Sequence, residues 1–141
     1  MIRRIRSTDH PALLELQRLA YQVEECLLET SDFPPLSETI DDIEAEQPNG
    51  FVYLLHNNIV GAITYADRTI TRLVVNPAYF RQGIAQSLLH HLLQHDHVKH
   101  VMTGARNLPA LALYTRFDFI EVRRDFRHDI ELVFLTRNLT K

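Results

Sequence analysis

Three things are scarce in this 141-residue chain, and each scarcity closes off a class of protein. Cysteine occurs once, at Cys26, which rules out an intrachain disulfide and a thiolate metal cluster. The acids around it disfavour a thiolate nucleophile. Apolar runs are all far shorter than a membrane span. The N-terminus, MIRRIRSTDH, alternates Arg with Ile and lacks the apolar stretch of a signal peptide, so a cytoplasmic protein is expected, with no membrane partner. Lys and Arg are missing from Leu19 to Ala66, where nine acids occur (Glu24, Glu25, Glu29, Asp32, Glu38, Asp41, Asp42, Glu44 and Glu46). From Arg68 to Lys141 the balance reverses, with eleven Lys or Arg against six acids. The net charge of −3 therefore hides two halves of opposite sign, read either as a solvated helical face or as two binding surfaces.

What is present is the composition of a folded globular chain: 45% apolar and 23% charged, which excludes disordered and fibrous classes. The length suits one domain with a single core, residues 1–141. Met1 to Arg6 alternates like a half-buried strand, and Ser7-Thr8-Asp9 with Pro11 opens a helix. Leu13, Leu16, Ala20, Val23 and Leu27 share one helical face, which carries this helix to about Leu28. Phe33-Pro34-Pro35-Leu36 breaks it, and Ser37 caps a second, acidic helix over Glu38 to Glu46.

FVYLLH and IVGAITYA form a hairpin turning at Asn57-Asn58, and TITRLVV is a third strand ending at Asn76-Pro77. From Gly83 the pattern is helical, with Ile84, Leu88, Leu89, Leu92 and Leu93 inward. A strand over His97 to Thr103, a helix from Asn107 and a closing hairpin (FIEVRRDF, IELVFLT) complete the order βααβββαβαββ.

The chemistry concentrates at two places. In VVNPAYFRQGIAQSLLHHLL a strand runs through a loop into a helix start. Unpaired amides and a partial positive charge at a helix N-terminus suit a diphosphate, and the small Gly83 and Ala85 permit close backbone approach. Many strand-to-helix turns keep a glycine for packing alone. The second place is the run from Asn107 through Ala110 and Tyr114 to Phe117, Asp118 and Phe119.

Together these runs resemble the GNAT (Gcn5-related N-acetyltransferase) family. Its phosphate loop reads Gln/Arg-x-x-Gly-x-Gly/Ala after a strand ending Val-x-Pro; here Val75-Asn76-Pro77 and Gly83-Ile84-Ala85 match, while Phe80 replaces the first Gln or Arg. Its later helix reads Asn-x-x-Ala-x-x-x-Tyr before Gly-Phe, matched by Asn107, Ala110 and Tyr114, with Asp118 in place of the glycine. The resemblance implies an α/β (α+β) GNAT fold, a mixed sheet of about six to seven strands flanked by about four helices. It also implies acetyl-CoA as cosubstrate and an amine as acceptor. The implied coenzyme contacts are Val74, Val75, Phe80, Arg81, Gln82, Gly83, Ile84, Ala85, Asn107 and Tyr114. A backbone amide within Leu73 to Val75, Leu73 first, is the implied oxyanion donor.

Tyr114 is the implied general acid, and the chemistry explains the residue type. A departing thiolate has the basicity of a thiol of pKa ~8.5, which a phenol of pKa ~10 can protonate as charge develops. The attacking amine, of pKa ~10.4, needs a base. Thr69-Ile70-Thr71-Arg72 offers no carboxylate, which leaves Glu24, Glu25 or Glu38 acting through water.

His90, His91, His95, His97 and His100 crowd one helix end, and His91 with His95 has metal-pair spacing. No HExxH pattern or cysteine joins them, and a helix C-terminus favours cationic imidazoles, so no metal is expected. Transfer to a primary amine on a small cationic molecule is the first reading. Transfer to a protein or peptide amine, and a non-catalytic acyl-CoA-binding module, stand beside it. A nucleic-acid partner is not expected at this charge and patterning. Dimers are common in the family, so a homodimer stays open.

Overall fold

The computed structural model describes residues 1–28, 38–127 and 130–137, the side chains of 24–28 excepted. The elements run β1 (Ile2–Arg4), α1 (His10–Leu28), α2 (Ile40–Glu46), β2 (Asn49–Leu55), β3 (Asn58–Ala66), β4 (Thr69–Val75), α3 (Ile84–His95), β5 (His100–Gly104), α4 (Leu108–Arg116), β6 (Phe119–Arg127) and β7 (Ile130–Arg137). This is the order read from the sequence, with several boundaries moved by local chemistry.

The β2–β3 turn sits at His56 and Asn57, which adopt φ of 51° and 66°, one residue earlier than Asn57-Asn58. Two positive φ angles are what a two-residue hairpin turn of the right twist requires. Asp67 and Arg68 repeat the device between β3 and β4. Thr39 caps α2: its hydroxyl accepts from the Asp42 amide, and the Asp42 carboxylate accepts from the Thr39 amide. The cap expected at Ser37 lies outside the described residues. The strand expected from His97 begins at His100, because Lys99 and His100 both donate their amides to the Arg68 carbonyl there.

All seven strands form one sheet in the order β1-β2-β3-β4-β5-β7-β6. β7 inserts between β5 and β6, an arrangement that element order alone does not show. Neighbours are antiparallel except β4 and β5, which are parallel and meet in register only at Thr69 and His100. Beyond that rung the two strands part.

One core lies between the sheet and α3–α4, where Leu88, Leu89 and Leu92 of α3 are fully buried with Ile63, Val133 and Phe119. Burying each such leucine is worth roughly 1.5–3 kcal/mol, so three on one helix hold α3 firmly against the sheet. The helix comes close because β3 carries Gly61 beneath it: a Cβ there would sit 2.7 Å from Ile84 Cγ2 and 3.1 Å from Leu88 Cδ1. On the opposite face Leu13, Leu16 and Ile43 of α1 and α2 pack on Val52, Ala62 and Val74. Among the described residues no helix is long and apolar enough to cross a membrane.

Candidate active site

A cleft of about 800 Å³ opens where β4 leaves β5, walled by α1, β4, the β4–α3 loop, the start of α3 and one face of α4. Its lining includes Leu73, Val74, Val75, Phe80, Arg81, Gly83, Ile84, Ala85, Asn107 and Tyr114. Two runs of sequence that are more than twenty residues apart thus meet at one surface. Gln82 is exposed and is not part of the lining. Glu24 and Glu25 lie on α1, but their side chains are outside the described residues.

Strand geometry decides which main-chain groups face the gap. The Asn76 amide donates to the Val60 carbonyl at 2.8 Å, so Asn76 points toward β3. Amides alternate along a strand, and those of Leu73 and Val75 therefore point the other way, into the opening that β5 vacates. Thr71 is the extra residue of a bulge in β4, since Arg72 pairs with Thr64 and Ile70 with Tyr65.

Gly83 forms the N-cap of α3 with φ of +76°. A Cβ at this position would meet nothing within 4 Å, so the turn opens onto free space beside the first, unpaired amides of a twelve-residue helix. That space, that partial charge and the adjacent Arg81 fit a diphosphate. Asn107 caps α4, its Oδ1 accepting the Ala110 amide at 3.3 Å, which leaves its amide nitrogen as the group available to the cleft. Tyr114 is 5% exposed and packs edge-on to Phe119, with ring centroids 5.6 Å apart. Phe80, 45% exposed, lies at the mouth in the position where the family loop carries a polar side chain.

The α1–α2 side of β4 holds a feature that sequence reading missed. Arg72, 6% exposed, projects from β4 toward α1 and α2. Its guanidinium donates to both oxygens of Glu46 (2.7 and 2.6 Å), to Glu38 (3.2 Å) and to Gln17 Oε1 (2.8 Å). Gln17 in turn donates to Glu38 at 2.8 Å. Burial opposes the charge on Arg72, but the hydrogen bonds and charge of Glu46, then the charge of Glu38, outweigh it and hold the guanidinium protonated. Tyr21 stands close enough to add to this field and also lines the cleft, so the network backs directly onto the cleft wall. The available signal was an arginine in the inward register of an apolar strand, facing a region that contains acids and no bases.

The histidine cluster resolves into packing. His91 and His95 stack with centroids 4.1 Å apart, His91 meets Phe51 edge-on at 4.5 Å, and His95 Nδ1 lies 2.8 Å from the His91 carbonyl. Among the described residues no three His, Cys, Asp or Glu side chains converge as a metal site.

Residues 20–133 match the family model described as an acetyltransferase (GNAT) domain. The UPF0157 protein YqkA of Bacillus subtilis (strain 168) is 33% identical over 114 residues, which cover 76% of this chain and 33% of that protein, so the chain spans about a third of its curated relative. Among solved structures, YncA of Salmonella typhimurium, determined with its cofactor acetyl-CoA, superposes with a TM-score of 0.76 at 17% identity, covering 100% of this chain and 94% of that one. The ribosomal-protein-S18-alanine N-acetyltransferase of Escherichia coli superposes with a TM-score of 0.74 at 19% identity, over 97% and 92%. With the family model spanning both the phosphate loop and the Asn107–Tyr114 helix, on a sheet that parts at β4 and β5, the chain belongs to the GNAT acetyltransferase family.

Proposed function

We propose that this protein transfers an acetyl group from acetyl-CoA to a primary amine on a small cationic molecule, by direct attack with both substrates bound. The observation that carries the reading is the cleft itself: the parting of β4 and β5 puts free main-chain donors, the α3 N-terminus and Tyr114 on one surface. Arg81 and the amides up to Ala85 hold the diphosphate, with Phe80 against the coenzyme at the mouth. Asn107 donates to the pantetheine arm, which runs along Val74 and Val75. The Leu73 amide donates to the thioester oxygen as negative charge builds there. The Tyr114 hydroxyl gives its proton to the departing sulfur.

The acids of α1 and α2 draw a cation toward the other mouth of the cleft. Glu38 is held by Arg72 and Gln17, which makes it a poor candidate for the base and leaves Glu24 or Glu25, through water, in that role.

An acceptor screen that follows thiol release, run with polyamines, amino acids and peptides bearing free N-termini, tests the reading. Turnover should be highest with small polycations, and Tyr114→Phe should lower kcat about 10²-fold with coenzyme affinity nearly unchanged. Unaltered turnover in that variant would remove Tyr114 from the mechanism. A preference for peptides would shift the acceptor class, and coenzyme binding without turnover on any amine would favour a sensor.

A further inference from the structure

Among the described residues that line the cleft there is no carboxylate, although the acceptor is read as a cation. The polar side chains of the lining are shared unevenly between the walls. Arg81, Gln86, Asn107, Tyr114 and Arg116 come from the β4–α3 turn, α3 and α4, the walls that hold the coenzyme in the reading above. The α1 wall contributes Ala20, Tyr21 and Val23, and of these only Tyr21 carries a hydrogen-bonding group.

What stands behind Tyr21 gives that hydroxyl a preferred partner. Gln17 precedes it by one helical turn and so shares its side of α1. The Gln17 side chain is 1% exposed, accepting from Arg72 and donating to Glu38. Two carboxylates, Glu38 and Glu46, share the Arg72 guanidinium, so the cluster sets one positive charge against two negative ones, a net of −1. Tyr21 lies within the electrostatic reach of Arg72 and packs against the apolar group of Leu13, Leu16 and Val74. A hydroxyl beside net negative charge is favoured with its hydrogen toward that charge and its lone pairs toward the open side.

An ammonium group has N–H donors and no acceptor, which makes it the complement of such an oxygen. We infer that the Tyr21 hydroxyl receives an ammonium group of the acceptor and, with the Arg72–Glu38–Glu46 cluster behind it, makes the cleft select a cation over a neutral molecule of the same shape. The inference rests on the acceptor reading above and gives it a residue. Tyr21 binds the acceptor in this scheme, and proton removal stays with the base. The hydrogen bond to a charged donor in a walled cleft is stronger than one to a neutral alcohol, so charge rather than shape carries the selection.

Fluorine NMR of the protein made with 3-fluorotyrosine and saturated with coenzyme A tests this. The chain has five tyrosines, and the Tyr21 line is the one lost in Tyr21→Phe. Propylamine and 1,4-diaminobutane, both cationic at neutral pH, should move that line saturably, while 1-propanol and 1,4-butanediol at matched salt should bind about tenfold more weakly or worse. In thiol-release assays Tyr21→Phe should raise the KM of the better amine about tenfold, with kcat lowered far less and coenzyme A affinity unchanged. Glu46→Gln, which brings the cluster to neutrality, should shrink the preference for amine over alcohol while the Tyr21 line still shifts. Equal response to amines and alcohols would overturn the inference, as would a Tyr21 line that neither amine moves. An amine preference unaltered in Tyr21→Phe would do the same and leave the acetyl-CoA reading standing. Failure of coenzyme A to bind is a different result, removing that reading and this inference together.

Discussion

The two faces of β4 are built on opposite plans. Toward α1 and α2 the strand presents Arg72, and every polar group in reach is spent: two carboxylates and an amide close around one guanidinium. Toward the β5 side and α4 several polar groups have no partner among the described residues: the Leu73 and Val75 amides, the first amides of α3, Arg81 and Arg116. Saturated polar groups hold structure, whereas groups left open in a walled cleft are available to a ligand. One strand thus separates a scaffold from a binding surface.

Substitutions on either side sharpen the contrast. Arg72→Met should cause the largest loss of stability, about 2 kcal/mol, because it removes the cation that Glu38 and Glu46 share and leaves the buried Gln17 without its donor. Denaturant unfolding checks this, and a loss below about 1 kcal/mol would show that the network is solvated rather than structural. Coenzyme affinity should change little apart from the effect of unfolding.

Gly83→Val tests the open side and should act in the reverse sense. A branched side chain at φ of +76° costs about 1–2 kcal/mol and fills the free space in the turn. Coenzyme A binding should weaken by tenfold or more, far beyond what the modest fall in Tm predicts. Retained affinity would mean that the turn is not the diphosphate cradle.

The smallest effect belongs to neither face. Burial, then His95, Arg4 and His90, holds the His91 imidazole below its ordinary value. A base with a depressed folded pKa contributes stability that is complete above the unfolded value of about 6.5 and is lost as pH falls through the folded one. Thermal unfolding should therefore show a small acid-side loss of stability below about pH 6.5, and His91→Gln should flatten it.

Element order, the β4–α3 turn with Gly83 and the helix capped by Asn107 were legible because their signals are local: a run of alternation, a glycine, a cap, a helical stripe. The pairings β2–β3 and β6–β7 followed from adjacency along the chain. The insertion of β7 between β5 and β6 was not legible, since nothing in either strand's pattern names a non-adjacent partner. Arg72 was read only as the absence of a glutamate: it shares a face with Val74, two residues on, but the partners that enclose it, Gln17, Glu38 and Glu46, come from distant elements that the strand's own pattern does not name. The need for glycine at position 61 comes from α3 resting on it, a contact between elements that the strand's own pattern does not show.

A sheet joined across its middle by a single rung, Thr69 to His100, behaves mechanically as two panels hung on one hinge. Four strands lie in one panel and three in the other. A chain-like molecule threaded between them, with its amides bonded to the exposed edge of β4, would serve as the missing rungs and lock the panels together. Its arrival would then register far from the contact point, as slower hydrogen exchange on both sides of the seam.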